Sequence, residues 1–331
     1  MRRKLKGYFM LFRILPVLVW SFTGSLVGTS LAALILHEIK WLPYLLVLSV
    51  SALVQGYPTH ILNEIFDWLS GADRKELGPK KSGGSKVLQA KLLTLRDLWM
   101  IFVIANLILV ALVATCAFVI NRQIVLLFIV PGYLSGILYS LPPFRFAYRP
   151  FLGEWLGGFA GMFLLVTGSY YAQTYTVDPL ILLSAFGIGL IYVGIMIFFH
   201  YLDFENDQRA RPKKNTTVVF LGLRKSRNYV NVCLLISCLV LLASTLEFRL
   251  QLLPLLLLGM TLLFCHNKID LWDHGSIIRW GKVVTYASLL AGLSFAGLSN
   301  PGLLLMSIPA LIAFWAHKKF GKLTGLRMQV S

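Results

Sequence analysis

The chain has 331 residues, of which 57% are hydrophobic and 14% charged, and it carries a net charge of +17. Its mean hydropathy is +0.74. A soluble domain carries about 25% charged residues, so this composition excludes an ordinary soluble domain and predicts an integral membrane protein.

About 20 consecutive apolar residues cross a bilayer as a helix. In chain order the apolar runs are 14–36, 41–62, 98–120, 124–141, 151–175, 180–201, 230–246, 252–265, 283–298 and 303–316. The run at 252–265 is short and follows a polar turn, so the expected count is nine or ten. The predicted fold class is all-α, a polytopic transmembrane helix bundle. A single membrane domain fills residues 1–331, with two long polar loops at 70–97 and 206–228. The first run is too long for the core of a cleavable signal peptide and reads as the first span. The four cysteines, Cys116, Cys233, Cys238 and Cys265, fall in predicted spans without CxxC spacing. They read as buried apolar fillers rather than as a disulfide framework or a zinc site.

The distribution of positive charge sets an orientation. With ten spans and a cytoplasmic N-terminus, inner loops and termini hold every Lys and Arg except Lys40, Arg122 and Arg249. This is a positive-inside pattern. It places the N-terminus and both long loops in the cytoplasm, as in a bacterial inner membrane. It also explains the +17 without nucleic acid, for which no soluble basic domain is present. Membrane lipid headgroups are the further partner of that charge.

The acids are sparse and clustered. Of 14 Asp and Glu, seven are Glu64, Asp67, Asp73, Glu76, Asp203, Glu205 and Asp207. Both clusters stand where an apolar run meets a basic loop. Carboxylates in or near lipid are costly and mark function by default. If the second run stays helical to its end, His60, Asn63, Glu64 and Asp67 share one face, because residues three and four apart are neighbours. Asp73 follows Gly71, where the chain can fold back. Asp203 and Asp207 are again one turn apart. Hard oxygen donors in facing pairs suit Mg²⁺, which takes one or two carboxylates and completes its shell with water and phosphate. The expected metal ligands are therefore Asn63, Glu64, Asp67, Asp73, Asp203 and Asp207. For any single acid, helix capping or pairing with a lysine is the simpler reading; two matched pairs on one side of the membrane favour a metal.

Basic residues follow each cluster: Lys80, Lys81 and Lys86 after the first, Arg209, Arg211, Lys213 and Lys214 after the second. Metal ions and cations together neutralise a diphosphate leaving group. For most of these lysines, plain positive-inside charge is the simpler explanation.

The stretch Asn63-Glu64-Ile65-Phe66-Asp67-Trp68-Leu69-Ser70-Gly71-Ala72-Asp73 resembles the first aspartate motif of the UbiA superfamily of membrane prenyltransferases, in the form ending Ser-Gly-x-Asp of the 1,4-dihydroxy-2-naphthoate branch. Asp203-Phe204-Glu205-Asn206-Asp207 resembles the second motif, with a basic stretch and Thr216 or Thr217 behind it. Tyr139 to Arg149, with Pro142, Pro143 and Arg145, resembles the family's Tyr-x-x-x-Pro-basic segment, and Gly153-Glu154 follows it. Gly168-Ser169-Tyr170-Tyr171-Ala172-Gln173-Thr174 resembles a stretch of the naphthoate branch. The sequence departs from the family at Glu64, where Asp is usual, at Phe199-His200-Tyr201, and in a longer basic stretch that leaves open whether Lys213 or Lys214 is the family lysine. The family's usual nine spans also differ from the ten that the charge count favours.

The resemblance implies a helical bundle around a central cavity and Mg²⁺-dependent transfer of a prenyl group from an isoprenoid diphosphate to an aromatic acceptor. Asp67, Asp203, Asp207, Arg145 and Tyr139 are then the expected catalytic residues. Lys80, Lys81, Arg209, Lys213, Tyr170, Tyr171, Gln173 and His200 are the expected substrate-binding residues. Acceptors other than a quinone precursor (a tetrapyrrole, a sugar phosphate or a lipid headgroup) and cyclisation of the prenyl cation stay open. A transporter is the rival of a different class, and the near absence of mid-span charges disfavours it.

Overall fold

The computed structural model describes residues 2–72, 84–120 and 123–321. These fold into ten helical rods: α1 (Arg3–Leu36), α2 (Trp41–Ser70), α3 (Leu95–Ile120), α4 (Gln123–Leu138), α5 (153–174), α6 (Pro179–Arg209), α7 (Leu223–Phe248), α8 (Leu250–Lys268), α9 (His274–Ser299) and α10 (Pro301–Phe320). Eight of them are long and apolar enough to cross a membrane, and α4 is a shorter apolar helix. At 1.5 Å per residue, α5 also reaches about 33 Å, the thickness of a bilayer core.

Lipid offers no partners to backbone polar groups, so helices are the way an open chain of this hydropathy crosses it. Their ends are set by local chemistry. Asp178 caps α6 by accepting from the Leu180 amide at 2.8 Å, with Pro179 behind it. Asp273 caps α9 through the Gly275 and Ser276 amides at 2.8 and 2.9 Å. Asn300 starts α10 through the Gly302 amide at 2.9 Å.

The rods close a circuit. Helix α1 packs on α5 and α9, α5 on α6, α6 on α7, α7 on α8, and α8 on α9, while α2 and α4 lie against α5. Many large side chains along α3, α7, α8 and α10 are exposed, including Leu107, Val110, Leu239, Leu257, Leu311 and Ile312. In water such surface would be a liability; in a bilayer it is the lipid-facing surface.

Three of the rods depart from α geometry along part of their length. Helix α1 is broken at Arg13, whose backbone is left-handed (φ 52°), and winds as a π-helix over Leu18–Phe22. Helix α2 does so over Gln55–Thr59, around Pro58, and α5 over Gly153–Phe159. π-Segments often occur at functional sites. The first two are stapled together: Ser21 Oγ donates to Gln55 Oε1 at 2.6 Å, and Gln55 Nε2 donates to the Pro16 carbonyl at 3.1 Å.

The loop expected at 206–228 is shorter than its polarity suggests. Helix α6 continues through the acidic cluster to Arg209, and α7 starts at Leu223. The connection is clasped to α2, with the Arg211 amide donating to the Ser70 carbonyl at 2.8 Å.

Candidate active site

A cavity of about 1070 Å³ opens within the circuit. Its walls come from α1, α2, α4, α5, α6, α9 and α10 and from the connection after α6. Val47, Val50, Phe128, Ile129, Leu164 and Leu165 make one part apolar. Asn63 and Asp67 on α2 and Asp203, Asn206 and Asp207 on α6 make another part acidic. Both clusters therefore face one space.

Lys214 joins them. Its Nζ donates to Asp67 Oδ2 at 2.9 Å and stands 3.8 Å from Asp207 Oδ1. Burial works against the ammonium charge, but the carboxylates of Asp67 and then Asp207 outweigh it and hold its pKa well above the ordinary lysine value. The backbone places it there: the Lys214 amide donates to the Asp207 carbonyl at 3.1 Å, and the Thr216 amide to the Lys214 carbonyl at 2.9 Å. Thr217 then anchors the connection. Its hydroxyl accepts from the Phe151 amide at 2.6 Å and donates to Glu154 Oε1.

Asp67 is held from three sides. Asn63 Nδ2 donates to Oδ2 at 2.9 Å. The Tyr148 hydroxyl lies 2.9 Å from both Asp67 Oδ1 and Ser70 Oγ. Ser140 Oγ lies 3.5 Å from Asn63 Nδ2. On the facing wall Tyr139 OH and His200 Nε2 are 3.3 Å apart. The Tyr139 ring packs over Gly157, where a Cβ would come within 2.7 Å of the ring; only glycine admits it. His200 lines the cavity, and its Nδ1 has no hydrogen-bond partner.

The structure thus brings together Asn63, Asp67, Asp203, Asp207, Tyr139 and His200. Other expected residues stand elsewhere. Glu64 is buried and is not among the cavity-lining residues; its Oε2 accepts from the Ser85 amide at 2.7 Å, so it fastens the loop after α2 instead of pointing at a metal. Arg145 is outside the cavity lining. Its guanidinium lies against the rings of Phe66 and Tyr148, 5.5 and 5.4 Å from their centroids, behind the tyrosine that holds Asp67. Arg209 and Lys213 are exposed, whereas Lys214 is buried, so Lys214 occupies the site position that the sequence left open between two neighbours.

Tyr170, Tyr171 and Gln173 are not brought to the acids. They lie in the last turns of α5, where Gln173 Oε1 accepts from the Lys40 amide at 2.8 Å and Gln173 Nε2 donates to the Lys40 carbonyl at 3.0 Å. Tyr171 packs on Phe128. Asp73, Lys80 and Lys81 lie outside the described residues. Sequence reasoning missed Tyr148, Ser140 and Arg13. Tyr148 stood inside a recognised motif, whereas Arg13 had no signal beyond being a charge at the edge of an apolar run.

The donors facing the cavity are the Asn63 amide oxygen and the carboxylates of Asp67, Asp203 and Asp207. These are hard oxygens of the kind Mg²⁺ takes, and Lys214 shows that positive charge settles between them. The residues present fit the ion. Among the described residues there is no cluster of three or more His, Cys, Asp or Glu positioned to hold a metal on protein ligands alone.

The UbiA prenyltransferase family matches residues 21–284. The 1,4-dihydroxy-2-naphthoate octaprenyltransferase of Escherichia coli (strain K12) is 28% identical over 231 residues, 67% of this chain and 71% of that protein. The protein of the same description from Haemophilus influenzae is 38% identical over 78 residues, 24% of this chain and 25% of its own; the match therefore spans only a quarter of that relative. Among solved structures, a UbiA homolog from Archaeoglobus fulgidus bound to DMAPP and Mg²⁺ superposes with a TM-score of 0.66 at 17% identity, covering 88% of this chain and 99% of that one. A digeranylgeranylglyceryl phosphate synthase superposes with a TM-score of 0.59 at 18% identity, covering 90% and 99%. At these identities the likeness is one of fold.

Proposed function

We propose, for a chain that belongs to the UbiA prenyltransferase family, that it transfers a prenyl group from an isoprenoid diphosphate to a hydroxylated aromatic acceptor of the quinone-precursor type. One observation carries this reading: two acid clusters and a buried lysine meet on a cavity that also has an apolar stretch of wall, with Val47, Val50, Phe128, Ile129, Leu164 and Leu165. The diphosphate head belongs at the charged end and the isoprenoid tail along the apolar walls. At about 1070 Å³ the cavity is at the upper end of the range for small-molecule sites, roughly 300–1000 Å³, which suits two substrates. The relatives named as naphthoate octaprenyltransferases support a naphthoate-like acceptor. The positive-inside pattern supports a cytoplasmic site, in a bacterial inner membrane.

Asn63, Asp67, Asp203 and Asp207 would hold Mg²⁺, which when bound supplies charge neutralisation to the diphosphate as it leaves. Lys214 adds a fixed positive charge at the same place, in a water-poor setting where it counts for more. Tyr148 and Asn63 keep Asp67 oriented. The carbon–oxygen bond of the allylic diphosphate breaks, and the electron pair leaves with the diphosphate. His200, whose side chain lines the cavity, takes the phenolic proton of the acceptor, raising the electron density of its ring. The ring then forms a carbon–carbon bond to the allylic C1. The attacked carbon regains aromaticity by losing its substituent, as a proton from a C–H carbon or as CO₂ from a carboxylated one. The Tyr139 ring face stabilises positive charge near C1.

The test uses purified protein, a labelled prenyl diphosphate and a panel of acceptors: 1,4-dihydroxy-2-naphthoate, 4-hydroxybenzoate and a glycerol phosphate. The expected result is a labelled prenylated arene, lost on chelation with EDTA and restored by Mg²⁺. A labelled hydrocarbon formed without any acceptor would point to cyclisation instead. Label carried only by the glycerol phosphate would point to a lipid acceptor.

A further inference from the structure

Glu154 is buried in the first turn of α5, 1% exposed, and is not among the cavity-lining residues. It takes no part in the chemistry proposed for the cavity. An ionisable group inside a membrane-spanning rod is costly and marks function by default. The carboxyl is fully engaged: its Oε1 accepts from the Thr217 hydroxyl, and Tyr229 hydrogen-bonds to the same group. The Trp155 indole donates in turn to the Tyr229 hydroxyl at 2.7 Å.

Two loops meet at this contact. The loop between α4 and α5 carries Tyr148, whose hydroxyl donates to Asp67 Oδ1 at 2.9 Å. The connection between α6 and α7 carries Lys214, whose Nζ donates to Asp67 Oδ2 at 2.9 Å. Asp67 is therefore gripped through both oxygens, by side chains from segments distant in sequence. Thr217 fastens one segment to the other, since its hydroxyl also accepts from the Phe151 amide at 2.6 Å. Phe151 has a left-handed backbone (φ 65°), which a bulky residue keeps only where its surroundings over-determine it. Its ring meets those of Phe220 and Tyr229 edge-on at 6.1 and 5.5 Å, and Phe220 belongs to the same short helix as Thr217, Thr217–Leu221. Lys214 lies three residues before Thr217. The chain between them is itself hydrogen-bonded, with the Thr216 amide donating to the Lys214 carbonyl at 2.9 Å.

We infer that Glu154, acting through Thr217, is a positioning residue for the diphosphate site: it joins the two loops so that Tyr148 and Lys214 hold Asp67 together. The inference deepens the proposed function and rests on it. Lysine has a flexible four-carbon stem and does not fix its own charge in space. Electrostatic stabilisation of a leaving group depends on charge placed beforehand. A buried clasp on the backbone just after Lys214 supplies that placement, without itself touching substrate or metal.

Equilibrium binding of farnesyl diphosphate with Mg²⁺, and with no acceptor, reads the site independently of prenyl transfer. Thr217→Val is close in shape but has no hydroxyl. It is expected to weaken Mg²⁺-dependent binding about tenfold, the scale of a lost buried hydrogen bond to a charged group. Thr217→Ser and Glu154→Gln, which keep a donor and an acceptor in place, should each stay within about twofold of wild type. In a Lys214→Met background the same Thr217→Val change should cost less than about twofold, because residues that act through one another are non-additive. A merely structural clasp would cost the same factor in both backgrounds. Every variant is assayed below its unfolding midpoint, and Glu154→Leu replaces Thr217→Val in both backgrounds if the latter does not fold. Unchanged binding by folded Thr217→Val, or equal losses with and without Lys214, overturns the inference. Absence of Mg²⁺-dependent binding in wild type overturns the proposed diphosphate site and the inference with it.

Discussion

The two ends of this bundle treat buried polar groups differently. At the end where α5 finishes, Gln173 and Lys40 exchange hydrogen bonds through side chain and backbone, and Lys40 Nζ donates to the Gln173 carbonyl at 2.7 Å. That network satisfies itself and lies outside the cavity that the acids line. At the acidic end, Asp67, Asp203, Asp207 and Lys214 line open space, and charges are concentrated where each costs free energy. Self-satisfied polar groups fix a joint between helices, whereas polar groups gathered around a cavity are arranged for a ligand.

Substitutions sharpen the contrast. Asp67→Ala or Asp203→Ala should lower Mg²⁺-dependent transfer about 1000-fold or more, since each removes a ligand at the leaving group; product formation by purified variants checks this. Lys214→Met leaves two buried carboxylates without their shared counter-charge and should cost roughly 100-fold in turnover, with Lys214→Arg partly active. Tyr148→Phe removes one hydrogen bond to Asp67, an effect of about tenfold in turnover, visible as a raised Mg²⁺ requirement. At the other end, Gln173→Ala should leave turnover per folded molecule unchanged and lower stability by about 1–2 kcal/mol, read from the unfolding midpoint. Lys213→Ala, one residue from Lys214 but exposed, should change turnover by less than about twofold. A large effect at Lys213 or Gln173 would break the contrast.

Much of this was legible in the sequence. Apolar runs mark the rods, because lipid demands about 20 residues of them. The acid pairs were readable because helical spacing places residues four apart on one face. Lys214 was not separable from Lys213, because their fates depend on a connection whose path is set by Ser70, Asp207 and Glu154, distant in sequence. Glu64 fell on the expected helix but turns from the cavity to the Ser85 amide. Tyr170, Tyr171 and Gln173 were assigned by resemblance of a stretch, and a stretch does not say at which end of a rod it sits. Arg13 was not legible as a cavity residue, since its place on the wall follows from a left-handed break of α1.

The central claim is that the two acid clusters form one site. It is tested most directly by Mg²⁺-dependent binding of a labelled prenyl diphosphate to wild type, Asp67→Ala, Asp203→Ala and the double variant. Residues acting on one ligand are strongly non-additive. The account predicts that each single change removes nearly all metal-dependent binding and that the double change removes little more. Independent, additive losses, or binding retained in either single variant, would contradict it.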